Sequence, residues 1–201
     1  ETQFSIRALP IGGYVAMAGE GSEEIEDFKV LDTEEDSSII HDESIDVIDE
    51  VLKENSMTTK DINKIFIVNG PGSFTGTRIG VTVGKTLAFS NNINVIPVSS
   101  LKQYIFSKEG YDYYVSIIND KNNRLYYGIY DKDYNDIIID KYSTKDIFDK
   151  DISKLEGNIL TIDESNQELD ILKLIDYYKD KDINAHELKP NYLKKIDAES
   201  L

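Results

Sequence analysis

The sequence has no cysteine and no tryptophan, and only two histidines, two methionines and four prolines in 201 residues. Without cysteine there are no disulfides, no thiolate metal ligands and no cysteine nucleophile, a usage that fits a reducing compartment. The histidines, His41 and His186, form no H-E-x-x-H pair, which excludes zinc metalloprotease chemistry. Long apolar runs are also missing. The most apolar early stretch, Phe4 to Gly19, carries Arg7 and three glycines, and it is shorter than the ~20 residues a membrane-spanning helix requires. No signal peptide is legible, so the expectation is a cytoplasmic protein with no membrane contact. Basic residues are scarce: 22 Lys and Arg face 38 Asp and Glu, for a net charge of −16. Such a surface repels phosphate backbones, so any nucleic acid is expected to be carried by a partner.

What remains is enough for a packed fold. Hydrophobic residues make up 40% of the chain, which is long enough for one moderate domain or two small lobes. Strand-like runs FSIRAL, YVAMA and FKVL come first, and from Ser38 to Asn55 the spacing of Ile45, Ile48 and Leu52 is helical. KIFIVN then reads as a strand buried on both faces, followed by a glycine-rich turn, a helix over 77–90 and a second buried strand, NINVIPVSS. The second half repeats the order: DYYVSIIN, RLYYGIYD and NDIIID as a meander, KDIFDK as a short helix, GNILTID as a strand and ELDILKLIDYYKD as a helix. This predicts two similar α/β lobes, 1–103 and 104–201, with 1–22 atypical. The thirteen tyrosines, paired at 113–114, 126–127 and 177–178, read as strand and helix faces rather than RNA-stacking platforms, which sit in basic grooves.

The stretch VNGPGSFTGTRIGVTVGKTLAF admits three readings. A P-loop needs four residues between its glycines, and Gly80 and Gly84 enclose three; Lys85 also falls well inside the helix. A dinucleotide fingerprint would use Gly70, Gly72 and Gly76, but the last spacing is one residue too long. The structural reading is a sharp Gly-Pro-Gly turn, a cap at Ser73 or Thr75, and close helix packing at Gly80 and Gly84. Two glycines inside a helix cost about 1 kcal/mol each relative to alanine, which calls for a compensating role.

The run NGPGSFTGTRIGVTVGKTLAF resembles the signature of the bacterial TsaB (YeaZ) family, G-P-G-S-F-T-G-x-R-x-G leading into a helix with a lysine and a Leu-Ala pair. HDESIDVIDEVLKEN, IPVSSL, RLYYGIYD and LKPNYLKKIDAE agree in order, so the resemblance covers roughly residues 26 to 201. It implies a two-lobed fold of the actin, sugar-kinase and Hsp70 type. It further implies a non-catalytic scaffold, without catalytic residue, metal or cofactor, in threonylcarbamoyladenosine synthesis on tRNA. The implied partners are TsaD directly and TsaE within the complex, with tRNA reached only through that complex. The implied partner surface comprises His41, Ile45, Ile48 and Leu52 on one helix and Arg78, Gly80, Val81, Gly84, Lys85 and Phe89 on the next, with the glycines admitting a partner helix. Arg78, a cation in a first helical turn, is expected to meet a carboxylate. Residues Asn69, Gly70, Pro71, Gly72, Ser73, Phe74, Thr75 and Gly76 form a weak nucleotide-binding candidate.

Residues 1–20 depart from the family, whose members open with a strand ending in Asp-Thr-Ser. They resemble instead a loop of site-2 intramembrane metalloproteases, with Gly21-Ser22 as a chimeric join. Two rival functions stand beside the scaffold: a small ATP-dependent enzyme of the same superfamily, and a self-associating module that is a homodimer when alone.

Overall fold

Short apolar runs of strand length become two four-stranded sheets in a computed structural model of the protein. The structure describes residues 2–9, 13–20 and 40–194, with side chains from Val47 onward. Two compact units are formed. The first contains the chain up to residue 69, then 73–98 and 178–190; the second contains 70–72, 99–177 and the residues from 191. The chain thus returns to the first unit late, a crossing that linear ranges do not express. The strand expected at FKVL lies outside the described residues.

In the first unit, β1 (Thr2–Leu9) and β2 (Gly13–Glu20) form a hairpin in register from Thr2 opposite Glu20 to Leu9 opposite Gly13. Strand β2 runs antiparallel to β3 (Lys64–Val68), with Val15 opposite Ile67. This overturns the expected intramembrane-protease loop and chimeric join. Residues 2–9 and 13–20 are strands of the same sheet as the glycine-rich segment, and among the described residues no helix is long and apolar enough to cross a membrane.

The segment from β3 through α2 (Phe74–Asn91) to β4 (Asn94–Val98) is a parallel crossover, with Lys64 opposite Asn94 and Val68 opposite Val98. Strand β3 lacks polar alternation because both its faces are covered: Ile65 and Ile67 on one and Phe66 and Val68 on the other are all buried. Helix α1 (Ile40–Glu54) adds Ile48, Val51 and Leu52 to this core and turns Asp49, Glu50, Lys53 and Glu54 outward. Residues 182–189 then strap the unit. Ile183 pairs with Val95 through two backbone hydrogen bonds, covering the free edge of β4, while Ala185 and Leu188 enter the core. Burying one leucine is worth about 1.5–3 kcal/mol, so the strap is part of the unit rather than a loose tail.

The second unit orders its strands β7-β6-β5-β8: β5 (Tyr113–Asp120), β6 (Arg124–Asp131), β7 (Asp136–Thr144) and β8 (Ile159–Ile162). Strand β5 is antiparallel to β6 and parallel to β8. Asn122 and Asn123 make the β5–β6 turn with left-handed backbones, φ 61° and 56°, a conformation asparagine tolerates better than most residues. Edge strand β7 carries two register shifts against β6. Ile137, Ile139 and Asp140 are left over in the pairing; the two isoleucines project outward, and an edge broken in this way resists further strand addition. Helices α3 (Lys145–Ile152) and α4 (Ile171–Tyr178) bury Phe148 and the pair Leu174 and Ile175.

This second core is more polar. Lys102 is buried, yet its ammonium lies 2.8 Å from Asp136 and 3.0 Å from the Tyr177 hydroxyl, between the rings of Tyr130 and Tyr177. Tyr127 donates to Asp151 at 2.7 Å, and Lys141 and Lys154 flank the same carboxylate. These bonds, led by that of Lys141, hold Asp151 well below the usual carboxylate range.

Candidate partner-binding surface

The glycine-rich turn is built from its own backbone. The Asn69 N–H donates to Val98 O at 3.0 Å, and its side-chain amide donates to Lys189 O at 3.1 Å, fixing the end of β3 against β4 and the strap. Gly70 adopts φ 103°, a left-handed value that favours glycine. Pro71 is buried, while Gly72, Ser73, Phe74 and Thr75 are exposed. Ser73 caps α2: its Oγ accepts the Gly76 N–H at 3.3 Å and its carbonyl accepts the Thr77 N–H at 2.9 Å. The cap thereby engages the Gly76 N–H, one of the first-turn donors that a phosphate at this turn would use. Arg78 does not reach over the turn either; its guanidinium sits 5.3 Å from the centre of the Phe74 ring. Among the described residues Arg78 has no ion-pair partner.

The two faces of α2 divide the expected interface. Gly80, Val81 and Gly84 lie on the inner face and are buried, as are Ile48 and Leu52 of α1. The close approach expected from a partner helix at Gly84 is made by the chain itself. A β-carbon there would stand 2.5 Å from Cδ1 and 2.8 Å from Cγ1 of Ile67 on β3. The small residue is needed for helix-on-sheet packing inside the unit. Lys85 is also turned inward in function: its ammonium donates to the carbonyls of His186 and Leu188 at 3.1 and 3.2 Å, tying the strap to α2. The side chains of His41 and Ile45 lie outside the described residues.

What α2 offers outward is Phe74, Arg78, Thr82, Thr86 and Phe89, spaced three or four apart along one stripe. Phe89 is 64% exposed and meets the His186 ring edge-on at 5.0 Å between centroids; Phe74 is 45% exposed. The 18 residues of α2 contain no Asp or Glu, in a chain with 38 of them. An uncharged-to-basic helix with two exposed aromatics stands next in sequence to an acidic one, α1. Sequence reasoning placed Phe74 in the turn and overlooked Thr82 and Thr86, although the run without acids was visible. Among the described residues no three His, Cys, Asp or Glu side chains come together in a way that could hold a metal ion.

The family described as "TsaD: tRNA N6-adenosine threonylcarbamoyltransferase" matches residues 35–177. The chain belongs to that family. Several curated relatives are named tRNA threonylcarbamoyladenosine biosynthesis protein TsaB. The one from Bacillus subtilis is 41% identical over 81 residues, 40% of this chain and 35% of that protein. The one from Escherichia coli is 31% identical over 94 residues, 45% of this chain and 41% of that protein. That from Buchnera aphidicola is 25% identical over 159 residues, 75% of this chain and 72% of that protein. The chain therefore spans well under half the length of the first two relatives. Among solved structures, YeaZ from Pseudomonas aeruginosa has a TM-score of 0.67 at 17% identity, covering 96% of this chain and 100% of that one. A second Pseudomonas aeruginosa structure, described as similar to peptidase YEAZ, has a TM-score of 0.69 at 16% identity, with the same coverage. The fold is the mixed α/β fold of YeaZ, related to the actin, sugar-kinase and Hsp70 type.

Proposed function

We propose that this family member is a TsaB-type, non-catalytic partner in tRNA threonylcarbamoyladenosine biosynthesis, and that it holds TsaD with the outer face of α2. The carrying observation is that face itself: a helix free of acids, with exposed Phe74 and Phe89 flanking an Arg78 that lacks an ion-pair partner among the described residues. Charge depletion with aromatic and arginine anchors is the composition of a protein-binding core. The curated TsaB relatives support the pathway, and a pathway acting on tRNA supports a cytoplasmic location. TsaE and tRNA enter through the complex, since a surface of net charge −16 does not attract tRNA on its own.

The interface proposed here is narrower than a list of every residue on the two helices. It leaves out Ile48, Leu52, Gly80, Val81 and Gly84, which serve the chain's own core, and keeps Arg78 and Phe89 with Phe74 added. Titrating the chain with TsaD from the same organism in a calorimeter tests the reading. A saturable one-to-one complex lost in Phe89→Ala is expected; absence of any complex contradicts it. A homodimer that persists in the presence of TsaD would favour the self-associating alternative.

A further inference from the structure

The irregular pairing of β7 gives Asp140 an unusual seat in the second unit. Its Oδ1 accepts the Ser99 hydroxyl at 2.8 Å and lies 3.5 Å from the Tyr130 hydroxyl, while its Oδ2 accepts the side-chain amide of Asn191 at 2.8 Å. Among the described residues, every group in direct contact with the carboxylate is neutral. Lys102, a cation whose charge reaches Asp140, is committed to Asp136 and Tyr177, and Asp136 adds a like charge from Asp140's own strand. Burial, with that like charge adding to it, pushes Asp140 up to about 6, against the opposing pull of Ser99, Tyr130 and Lys102. Gly128 makes room for the arrangement, since a β-carbon there would stand 2.3 Å from the Tyr130 hydroxyl oxygen.

Asn191 opens the segment 191–194, and the other end of that segment is held by a different kind of carboxylate. Asp120 accepts the Lys194 ammonium at 2.9 Å and the Tyr142 hydroxyl at 2.6 Å. Tyr142, then Lys194, hold Asp120 down at about 2, so this anchor stays ionised while Asp140 titrates. The Tyr142 ring also lies under both Arg124 and Lys194, at 5.5 and 5.8 Å.

We propose that Asp140 is a proton-operated pin for residues 191–194: its carboxylate grips the Asn191 amide, its neutral acid releases it, and Asp120 keeps Lys194 throughout. Hydrogen bonds to an ionised acceptor are roughly twice as strong as neutral ones. Both oxygens of Asp140 face donors, so an added proton weakens the bonds they accept, most of all at the oxygen that takes it. Ser99 is fixed, because its Oγ also accepts the N–H groups of Leu101 and Lys102 at 3.1 and 3.4 Å. The Asn191 amide is the group that can turn away. The pin is independent of the proposed partnership with TsaD.

Linked equilibria are reciprocal, which supplies the test. If the ionised form grips Asn191, deleting that amide must make Asp140 easier to protonate. Carbon-13 carboxyl resonances followed against pH should show the Asp140 midpoint in Asn191→Ala raised by about half a unit or more, a roughly three-fold gain in proton affinity. The Asn191 side-chain amide resonances should shift with the same midpoint in the wild type, because that amide donates to Oδ2. They should stay flat across the same range in Asp140→Asn. An unchanged midpoint in Asn191→Ala, or Asn191 amide resonances that ignore the titration, overturns the proposal. The Asn191→Ala measurement decides the matter even if Asp140→Asn does not fold.

Discussion

The two units share a plan and differ in how they fill it. Each sheet has two antiparallel pairings and one parallel pairing. In the second unit the parallel partner of β8 is the unit's first strand, β5; in the first unit the strand beside the crossover, β2, runs antiparallel to it. Their interiors differ more. The first core is Ile, Val, Leu and Ala, whereas the second buries Tyr114, Tyr127 and Tyr130 with Lys102, Gln103 and Ser116 among them. An aliphatic core has many near-equivalent packings, and a polar aromatic network has few, because each hydroxyl and charge needs its own partner. The first unit should therefore tolerate repacking while presenting a surface, and the second should resist repacking and respond to pH.

Paired glycine substitutions test this contrast most strongly. In Gly128→Ala the new methyl meets the Tyr130 hydroxyl oxygen at 2.3 Å and its ring carbon Cζ at 2.7 Å. The ring cannot move without leaving Asp140, so a loss of about 3 kcal/mol is expected in urea unfolding. Gly84→Ala meets the end of an aliphatic side chain, Ile67. Its strain is offset by the helix preference of alanine, leaving a net loss of about 1 kcal/mol. Equal losses would break the comparison.

Asp140→Asn comes next. Because the native carboxyl sits at about 6 rather than an ordinary 3.8, the folded state binds the proton more tightly than the unfolded chain. The wild type should gain stability as pH falls from about 7 toward 4. Asp140→Asn should lack that rise and be about 2–3 kcal/mol more stable near neutrality. Asp120 and Asp151 act in the opposite sense: their depressed values stabilise the fold above the usual carboxylate range, and that support is lost as acid protonates them. Thermal melts across pH separate the two limbs.

Lys102→Ala removes packing between two tyrosine rings and should cost about 2 kcal/mol. Lys102→Met fills the space, and Asp136, with its side chain 43% exposed, can turn to water, so its change should stay within about 1.5 kcal/mol. In the first unit, Ser73→Ala should cost about 1 kcal/mol through loss of the α2 cap, read from its unfolding midpoint.

Much of this was legible from spacing alone. The unbroken apolar run in KIFIV announced a doubly covered strand, and Ser73 or Thr75 ahead of the α2 periodicity announced a cap, which is Ser73. Helix α2 was expected to begin near Thr77 and begins at Phe74, because the cap sits directly after the Gly-Pro-Gly turn. The direction of each face was less accessible. Periodicity shows that Gly80 and Gly84 share a side, but only the three-dimensional packing shows that Ile67 of the same chain stands against Gly84. Nor could spacing reveal the strap, since Ala185 and Leu188 sit in a segment of little periodicity and are buried by long-range contact. Asp140 was invisible for the same reason: Ser99, Tyr130 and Asn191 are scattered along the chain and meet only after the β7 irregularities turn the carboxylate toward them.

The central claim is that the outer face of α2 binds TsaD. Molar mass by light scattering, for TsaD mixed with the wild type and with Arg78→Glu, tests it most directly. Arg78 is exposed, so its replacement should leave stability within about 0.5 kcal/mol. The account predicts a one-to-one heterodimer for the wild type and separate subunits for a folded Arg78→Glu protein. A heterodimer of undiminished affinity with Arg78→Glu, or none with the wild type, would contradict it.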